Sequence, residues 1–269
     1  MLNRLFTNPL QLGFAQAFAA AIVAYGVVLL ARRRKIHVES EAAIALLRGL
    51  VQIVAVGSVL VLMLRAPRWT GAFLLAAMIA AAGATSAKRA KGIPGSFQVS
   101  SYSIACGAGS VIAIMTSLGV IDTAVTALIP VGSMLIANAM NTNGLALNRF
   151  RSDVLAHAGE IEAALALGAD PRESVARYVQ VSFQASLIPA IDSLRSLGIV
   201  WIPGLMAGML LSGSRPVYAA IYQFVVLAMI FAASGLTSLV STTLIRTHAF
   251  TPAEQLLLRP GISQPDVRA

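Results

Sequence analysis

Residues 160–174 read Glu-Ile-Glu-Ala-Ala-Leu-Ala-Leu-Gly-Ala-Asp-Pro-Arg-Glu-Ser, a polar and helix-forming stretch in a chain that is otherwise mostly apolar. Its first half favours a helix, which Gly168 can end because glycine readily adopts left-handed backbone angles. Asp170 suits the N-cap of a second helix, and Pro171 suits its first position. The stretch therefore predicts a helix, a tight turn and another short helix in water, where a soluble partner could bind. The simpler interpretation is an amphipathic loop between two apolar segments.

The composition decides the class of protein. Hydrophobic residues make up 57% of the chain, charged residues 12%, and the mean hydropathy is +0.79. A soluble domain carries about 25% charged residues. Several uncharged runs are long enough to cross a hydrocarbon layer of about 30 Å, which takes about 20 residues in a helix. These features predict an all-α, polytopic membrane protein, and the single Cys106 excludes a disulfide within one chain.

Seven membrane crossings are predicted from the apolar runs. A cluster of four basic residues, Arg32 to Lys35, follows the first run, whereas only Arg4 precedes it, so we expect a retained span and not a cleaved signal peptide. Pro130 lies inside the fifth run and should kink it. The sixth run is short and broken by Pro203 and Gly204, so a bent or partial crossing is expected there. Helices outside the bilayer are expected before it, with Tyr178–Ile191 along or into the membrane surface. The predicted spans cover about residues 11–31, 42–64, 69–87, 97–118, 123–147, 199–211 and 217–245.

The basic residues predict the orientation, because loops rich in Lys and Arg stay in the cytoplasm. The formal net charge is +9, and most basic residues form short clusters at the ends of apolar runs. This pattern is typical of membrane topology and argues against nucleic-acid binding. The clusters at residues 32–35 and 88–91, the polar segment 148–198 and the tail fall on one side. The N-terminus is therefore predicted outside and the C-terminus in the cytoplasm.

Motifs that would make the chain an enzyme are missing from the sequence. It has no phosphate-binding loop of the form G-x-x-x-x-G-K-[ST], so any ATP used must be bound by another polypeptide. The histidines His37, His157 and His248 are far apart and show no metal-site spacing. No carboxylate lies in the middle of a predicted span, which argues against a proton-coupled carrier and an intramembrane hydrolase.

Polar side chains enter the predicted spans at a few positions. Arg48 and Gln52 lie one helical turn apart in the second span. Asn138 and Asn141 share a helical face with Met134 in the fifth. One interpretation is that the amides and the Arg hold helices together. The other is that amide oxygens and Met sulfur contact a transported cation.

Two further methionines, Met206 and Met209, lie next to the break in the sixth run. They could face the same route or fill the core. Gly204 and Gly208 would permit close helix approach, as at a homodimer seam. The complete candidate substrate path is Arg48, Gln52, Met134, Asn138, Asn141, Met206 and Met209.

Short blocks along the chain, between about residue 40 and residue 245, together resemble one protein family. The blocks are Arg48-Gly49-Leu50-Val51-Gln52, Ala87-Lys88-Arg89-Ala90-Lys91, Ile129-Pro130-Val131-Gly132-Ser133-Met134 with Ala137-Asn138-Ala139-Met140, Leu165-Ala166-Leu167-Gly168-Ala169-Asp170-Pro171, Leu187-Ile188-Pro189-Ala190-Ile191-Asp192-Ser193 and Pro203-Gly204-Leu205-Met206-Ala207-Gly208. In that order they resemble the FetB-like permeases of iron-export ABC transporters, whose plant relatives include aluminium-tolerance permeases.

The resemblance implies one permease domain over residues 1–269 in the inner (plasma) membrane, with residues 148–198 as its cytoplasmic coupling segment. It implies two permease copies paired with two cytoplasmic ABC ATPases, exporting iron or another metal ion across the lipid bilayer. No cofactor is expected on this chain, because ATP and Mg²⁺ would bind the ATPase, and no metal ligands are assigned. The residues implied to couple to the ATPase are Glu160, Glu162, Ala163, Leu167, Gly168, Ala169, Asp170 and Pro171.

The same stretch also resembles the Glu-Ala-Ala-x-x-x-Gly loop of bacterial ABC importers, through Glu162, Ala163-Ala164 and Gly168. The importer loop expects a proline closer to its glycine than Pro189 is here. Transport direction therefore follows from the family resemblance and not from this loop. Two alternatives stay open. One is an ABC permease for import or for an organic solute, and the other is a membrane scaffold or regulator without a substrate path.

Overall fold

The protein is all-α. A computed structural model describes residues 9–33, 39–63, 69–90 and 93–258, and the regular elements in these ranges are helices. This confirms the predicted class, since six helical segments are long and apolar enough to cross a membrane. The elements are α1 (Pro9–Arg33), α2 (Glu39–Met63), α3 (Trp69–Ala87), a 3-10 turn (Lys88–Ala90), α4 (Ser96–Ile104), a π-helical turn (Ala105–Gly109), α5 (Ser110–Ser117), α6 (Val125–Ala156), α7 (Ala158–Ala166), α8 (Pro171–Ser174), α9 (Ala176–Ser196), α10 (Gly204–Leu211) and α11 (Pro216–His248).

The helices α1 and α2 form one compact unit within residues 1–66 and pack against each other. Many of their described side chains are apolar and exposed, including Phe18, Val23 and Leu47. Exposed apolar surface of this extent requires lipid or protein around it, which agrees with the first two predicted spans. Arg32 near the end of α1 and Glu39 at the start of α2 form an ion pair of 3.4 Å.

The helices α3 to α11 form a second compact unit, within residues 67–269, whose centre is the pair α6 and α11. Two buried clusters follow one another along this pair. The cluster that we call the upper core includes Leu135 of α6 and Val226 of α11. The cluster that we call the lower core includes Phe150 of α6 and Ile245 of α11. Because both helices run through both cores, the unit is a bundle long enough to cross a membrane.

Small residues let α11 approach the π-helical turn closely. A Cβ atom added at Gly107 would lie 2.6 Å from the backbone nitrogen of Thr237 and 2.8 Å from the backbone oxygen of Ala233. One added at Gly83 on α3 would lie 2.9 Å from the Cα of Ser101. Helices in membranes pack through such residues, because lipid gives apolar side chains little reason to associate.

The sixth predicted span, residues 199–211, was expected to be a bent or partial crossing, and its helix is short. Only Gly204–Leu211 is helical there, and its 8 residues extend about 12 Å. This is far less than the hydrocarbon thickness of about 30 Å. Pro203 has extended backbone angles immediately before the helix, so the chain cannot continue as one helix through the segment.

The helix α9 packs along both α6 and α11. Tyr178–Ile191 was expected outside the bilayer, along or into its surface, and that placement stays a prediction. Val179 packs against the lower core and Leu194 against the upper core. One face of α9 consists of apolar or small residues. This face packs into the bundle although the segment as a whole is polar.

Several sequence predictions concern features that these helices do not decide. The orientation of the termini, the single permease domain over residues 1–269 and the kink at Pro130 stay predictions. Residues 34, 35 and 91 of the predicted basic clusters, and the tail beyond residue 258, lie outside the described residues.

Candidate functional site

The polar stretch that follows α6 folds into a helical hairpin, α7–turn–α8, which we call the hairpin (residues 158–174). Its first helix ends as predicted, because Gly168 takes a φ of +87°. The backbone N–H of Gly168 donates to the carbonyl of Leu165 at 3.0 Å, and that of Ala169 donates to the carbonyl of Ala164 at 3.0 Å. This pattern of a left-handed residue satisfying the last carbonyls is a common helix end.

The second helix of the hairpin also begins as predicted. Asp170 has extended backbone angles, and its carboxylate oxygen accepts from the N–H of Arg172 at 2.7 Å. Pro171 occupies the first helical position, where its missing N–H leaves no unsatisfied donor. The turn between the helices is therefore held by backbone geometry at Gly168 and by a side-chain cap at Asp170.

The inner face of the hairpin is attached to the bundle. Ile161 of α7 and Val175, which follows α8, are both fully buried in the lower core. His157, between α6 and α7, stacks on Tyr178 of α9 with ring centroids 5.1 Å apart. These contacts connect the end of α6 to the start of α9, so the hairpin cannot move without displacing both helices.

The outer face combines an apolar tip with negative charge. Leu167 is 90% exposed at the turn. Ala163 and Gly168 are exposed next to it, whereas Ala169 and Pro171 are half-buried. The exposed charged residues of the hairpin are the acidic Glu160, Glu162, Asp170 and Glu173 and the basic Arg172. We call this face the hairpin surface; it suits a partner that offers an apolar pocket within a basic rim.

The candidate path residues of α6 behave differently from one another. Asn138 is half-buried, and its side-chain amide donates to the backbone carbonyl of Met134 at 2.8 Å, within its own helix. Met134 packs against the upper core. Asn141 is exposed. Of these residues, therefore, Asn141 is the one whose polar side chain faces outward from the described bundle.

The candidate methionines of α10 are half-buried, and one of them is anchored by a residue that sequence reasoning did not single out. The backbone N–H of Met206 donates to the side-chain oxygen of Gln223 on α11 at 3.3 Å. Gln223 is buried. The sequence offered one signal for Gln223, since it places an amide side chain inside the apolar run 217–245. Met209 accepts, through its backbone carbonyl, hydrogen bonds from the Ser212 hydroxyl at 2.8 Å and the Ser214 N–H at 2.9 Å.

Arg48 and Gln52 lie on α2, in the unit within residues 1–66, and both are exposed. The other candidate path residues belong to the unit within residues 67–269. The predicted set is therefore divided between two units.

Buried polar contacts between helices support the structural interpretation of some amides. Asn143 of α6 is fully buried and donates to the hydroxyl of Ser86 on α3 at 2.6 Å. Directly beside it, Gly144 leaves room for Arg89, since an added Cβ would lie 2.9 Å from the Arg89 Cδ. The first pair joins α6 to the end of α3 and the second joins α6 to the 3-10 turn that follows, which stabilises the bundle where it meets the lower core.

A dense metal-binding cluster is not found in the part of the chain that the structure describes. No group of three or more His, Cys, Asp or Glu side chains there could hold a metal ion. The sequence prediction left the metal ligands unknown.

Comparison with known proteins gives consistent results. The profile of the family described as "Uncharacterised protein family (UPF0014)" matches residues 14–250. The rice UPF0014 membrane protein STAR2 is 33% identical over 254 residues, covering 93% of this chain and 88% of STAR2. Protein ALUMINUM SENSITIVE 3 of Arabidopsis thaliana is 31% identical, covering 91% and 90%. The probable iron export permease protein FetB of Escherichia coli is 29% identical, covering 86% and 90%. No solved structure matches.

Proposed function

The chain belongs to the UPF0014 family of membrane proteins, and from this premise we propose that it is the permease subunit of an ABC transporter that exports iron or another metal ion. ATP and Mg²⁺ bind a separate cytoplasmic ATPase, and two copies of each subunit form the transporter. The bacterial relative named as a probable iron export permease supports this cargo. A plant relative whose name refers to aluminium supports a metal ion more generally.

The hairpin surface is the observation that carries the proposal. A partner that hydrolyses ATP must bind a feature that is exposed, rigid and connected to the helices that move. The hairpin is exposed at Leu167 and buried at Ile161. Burying the Leu167 side chain in a partner pocket would contribute about 2 kcal/mol, and the surrounding carboxylates would favour a basic partner surface.

The connection to α6 and α9 explains how a movement of the ATPase reaches the membrane. The helix α6 ends immediately before the hairpin and α9 begins immediately after it. Both helices pack against α11. A displacement of the hairpin would therefore tilt α6 and α9 against α11, and α6 carries Asn141 on its exposed side. Such coupled movement of packed helices is how a permease can alternate between its two openings.

The proposal is tested by comparing two equally exposed leucines. Leu167 and Leu211 are both 90% exposed, but only Leu167 belongs to the hairpin. The full-length chain is co-expressed with ABC ATPases from the same organism, and ATPase that co-purifies is quantified. Leu167→Ser, and the double variant Glu160→Lys with Glu162→Lys, should each lower recovered ATPase by about tenfold, the equivalent of about 1.4 kcal/mol.

The Leu211→Ser variant is the matched control and should recover ATPase as the parent chain does. Metal content of cells with and without the complex then identifies the cargo. Recovery of an ATPase that is unaffected by both hairpin variants would contradict the assigned surface. If the protein is a scaffold without a substrate path, Asn141→Leu should leave the metal content of the cells unchanged. If it is a permease, cells with this variant should accumulate the metal.

A further inference from the structure

The helix α9 extends along the bundle from one core to the other. Val175, just before its first residue, is buried in the lower core, and Tyr178 packs against that core. In the middle of the helix the hydroxyl of Ser186 lies 2.7 Å from that of Ser238 on α11. Near and just after its end, Leu194 and Leu197 pack against the upper core. The direction of α9 is therefore along the bundle and not across one of its ends.

The length of α9 matches a membrane crossing. Its 21 residues extend about 31 Å, which equals the hydrocarbon thickness of about 30 Å. The segment after it agrees, because Ile199, Val200 and Ile202 are strongly exposed apolar residues. Trp201 lies among them and donates to the Ser196 hydroxyl at 3.1 Å. An exposed apolar loop with a Trp is typical of the membrane–water interface.

The buried face of α9 leaves few polar groups unsatisfied. Ser182 donates to the backbone carbonyl of Tyr178 at 2.5 Å, and Ser186 contacts Ser238. Both serines are buried. The residues of this face are small or apolar and fit against α6 and α11. Their burial explains why α9 packs along these two helices.

The opposite face of α9 carries a stripe of polar residues that the bundle does not cover. Gln180, Gln184 and Asp192 belong to a row of exposed residues spaced by four, which the apolar Ile188 interrupts. In the part of the chain that the structure describes, neither glutamine side chain has a hydrogen-bond partner. Residues spaced by four lie above one another on a helix, so we call this row the polar stripe.

The depth of the polar stripe decides what can cover it. Ser186 is the middle residue of α9, about 15 Å from either end of the helix, and Gln184 lies about half a helical turn before it. Gln184 is therefore close to the middle of α9. Lipid tails cannot hydrogen-bond an exposed amide there, so contact with lipid would be strongly unfavourable. Water can form hydrogen bonds with both glutamine amides and with the carboxylate of Asp192.

We infer that α9 is a seventh membrane crossing and that its polar stripe lines a water-filled passage for a hydrophilic cation. This inference rests on the proposed permease function and assigns a face of the passage that the candidate residues did not include. The stripe offers neutral amide oxygens at mid-depth and a carboxylate at Asp192. Weak oxygen contacts of this kind suit conduction, since a passing ion must be able to leave each site. With α9 the number of membrane crossings is seven. An odd number of crossings places the N-terminus and the C-terminus on opposite sides of the membrane.

Cysteine labelling tests the passage directly. Gln184→Cys and Leu239→Cys are made in a Cys106→Ala background, in the full-length chain in membranes. Leu239 follows Ser238, so it lies at the depth of Gln184, and it is 54% exposed on α11. A charged, membrane-impermeant methanethiosulfonate should modify Gln184→Cys at least about tenfold faster than Leu239→Cys, because only a hydrated thiol forms the reactive thiolate.

Equal and slow modification of both cysteines would overturn the inference, since it would place the polar stripe away from water. A spontaneous disulfide between two copies at Gln184→Cys, without reagent access, would overturn it too, because the stripe would then be a dry seam. If Gln184→Cys does not accumulate, Gln180→Cys tests the same stripe. The labelling needs neither ATP nor an ATPase, so loss of the proposed partner would leave this result unaffected.

A transport measurement gives the second readout. Gln184→Leu should raise cellular metal to the level of cells without the protein while the ATPase still co-purifies. Gln184→Asn should keep export, since it retains the amide. Parental export by Gln184→Leu would contradict a role for the polar stripe in the passage.

Discussion

The side-chain oxygens of Ser186 on α9 and Ser238 on α11 lie 2.7 Å apart inside the bundle. Both residues are buried, at 1% and 0% exposure, so each hydroxyl depends on the other for this contact. The pair fixes the register between two long helices. It also shows that a segment with the composition of a surface helix is packed as part of the core.

This register predicts a specific cross-link. In a Cys106→Ala background, Ser186→Cys combined with Ser238→Cys should form a disulfide on mild oxidation, because the two side chains already meet and the bond needs Cβ atoms about 4 Å apart. The measurement is the loss of free thiols, read by mass. Each single variant should keep its thiol. A folded double variant that keeps both thiols would show that α9 packs elsewhere.

The left-handed turn of the hairpin predicts the effect of replacing its glycine. Gly168→Ala should destabilise the hairpin by about 1 kcal/mol, because a Cβ makes positive φ unfavourable. Gly168 has a φ of +87° and otherwise open space around it. The measurement is hydrogen exchange of α7 and α8, together with ATPase recovery.

Gly159→Ala is the matched control for this change. Gly159 lies in the first turn of α7, has no positive φ, and an added Cβ would meet nothing within 4 Å. The control should leave the hairpin unchanged or stabilise it slightly, since alanine is the better helix former. A similar loss of hairpin stability in both variants would contradict the left-handed turn as the cause of the effect.

The N-cap of α8 predicts a second change in the hairpin. Asp170→Ala removes the acceptor that holds the Arg172 N–H at 2.7 Å, which should cost about 1 kcal/mol. The Arg172 amide should then exchange about fivefold faster, as such a cost implies. Asp170→Asn keeps a side-chain acceptor and should behave as the parent. Equal exchange rates in all three chains would exclude the cap as a stabilising contact.

The close approach of α11 to the π-helical turn predicts a packing defect. Gly107→Ala places a Cβ within 3 Å of backbone atoms of α11, which cannot move aside without shifting the helix. We expect a loss of about 1 to 3 kcal/mol in unfolding free energy, seen as a lower thermal midpoint in detergent. Gly109→Ala is the control, because its Cβ would meet only the Ile79 Cδ1 at 3.8 Å. A parental midpoint for Gly107→Ala would contradict the tight packing.

Local signals in the sequence predicted the hairpin well. Gly168 and the pair Asp170–Pro171 act through their own backbone preferences, so the end of one helix and the start of the next follow from single residues. The apolar runs also predicted the long helices, because length and hydropathy are properties of each segment alone. The family blocks pointed to the relatives that the comparisons then found.

The position of α9 could not be predicted in the same way. Its mean hydropathy is low because Gln180, Gln184 and Asp192 share the segment with residues that enter the core. Which face is buried depends on α6 and α11, which are distant in sequence. Gln223 was missed for a related reason, since its partner is a backbone N–H of α10 that only the fold brings near.

The central claim is that the hairpin surface faces the cytoplasm and binds the ATPase. The most direct measurement is labelling of Leu167→Cys, in a Cys106→Ala background, with an impermeant maleimide. Intact cells should leave this cysteine unmodified, and inside-out membrane vesicles should show rapid modification that falls when the ATPase is bound. Modification in intact cells, or no protection by a co-purifying ATPase, would contradict the account.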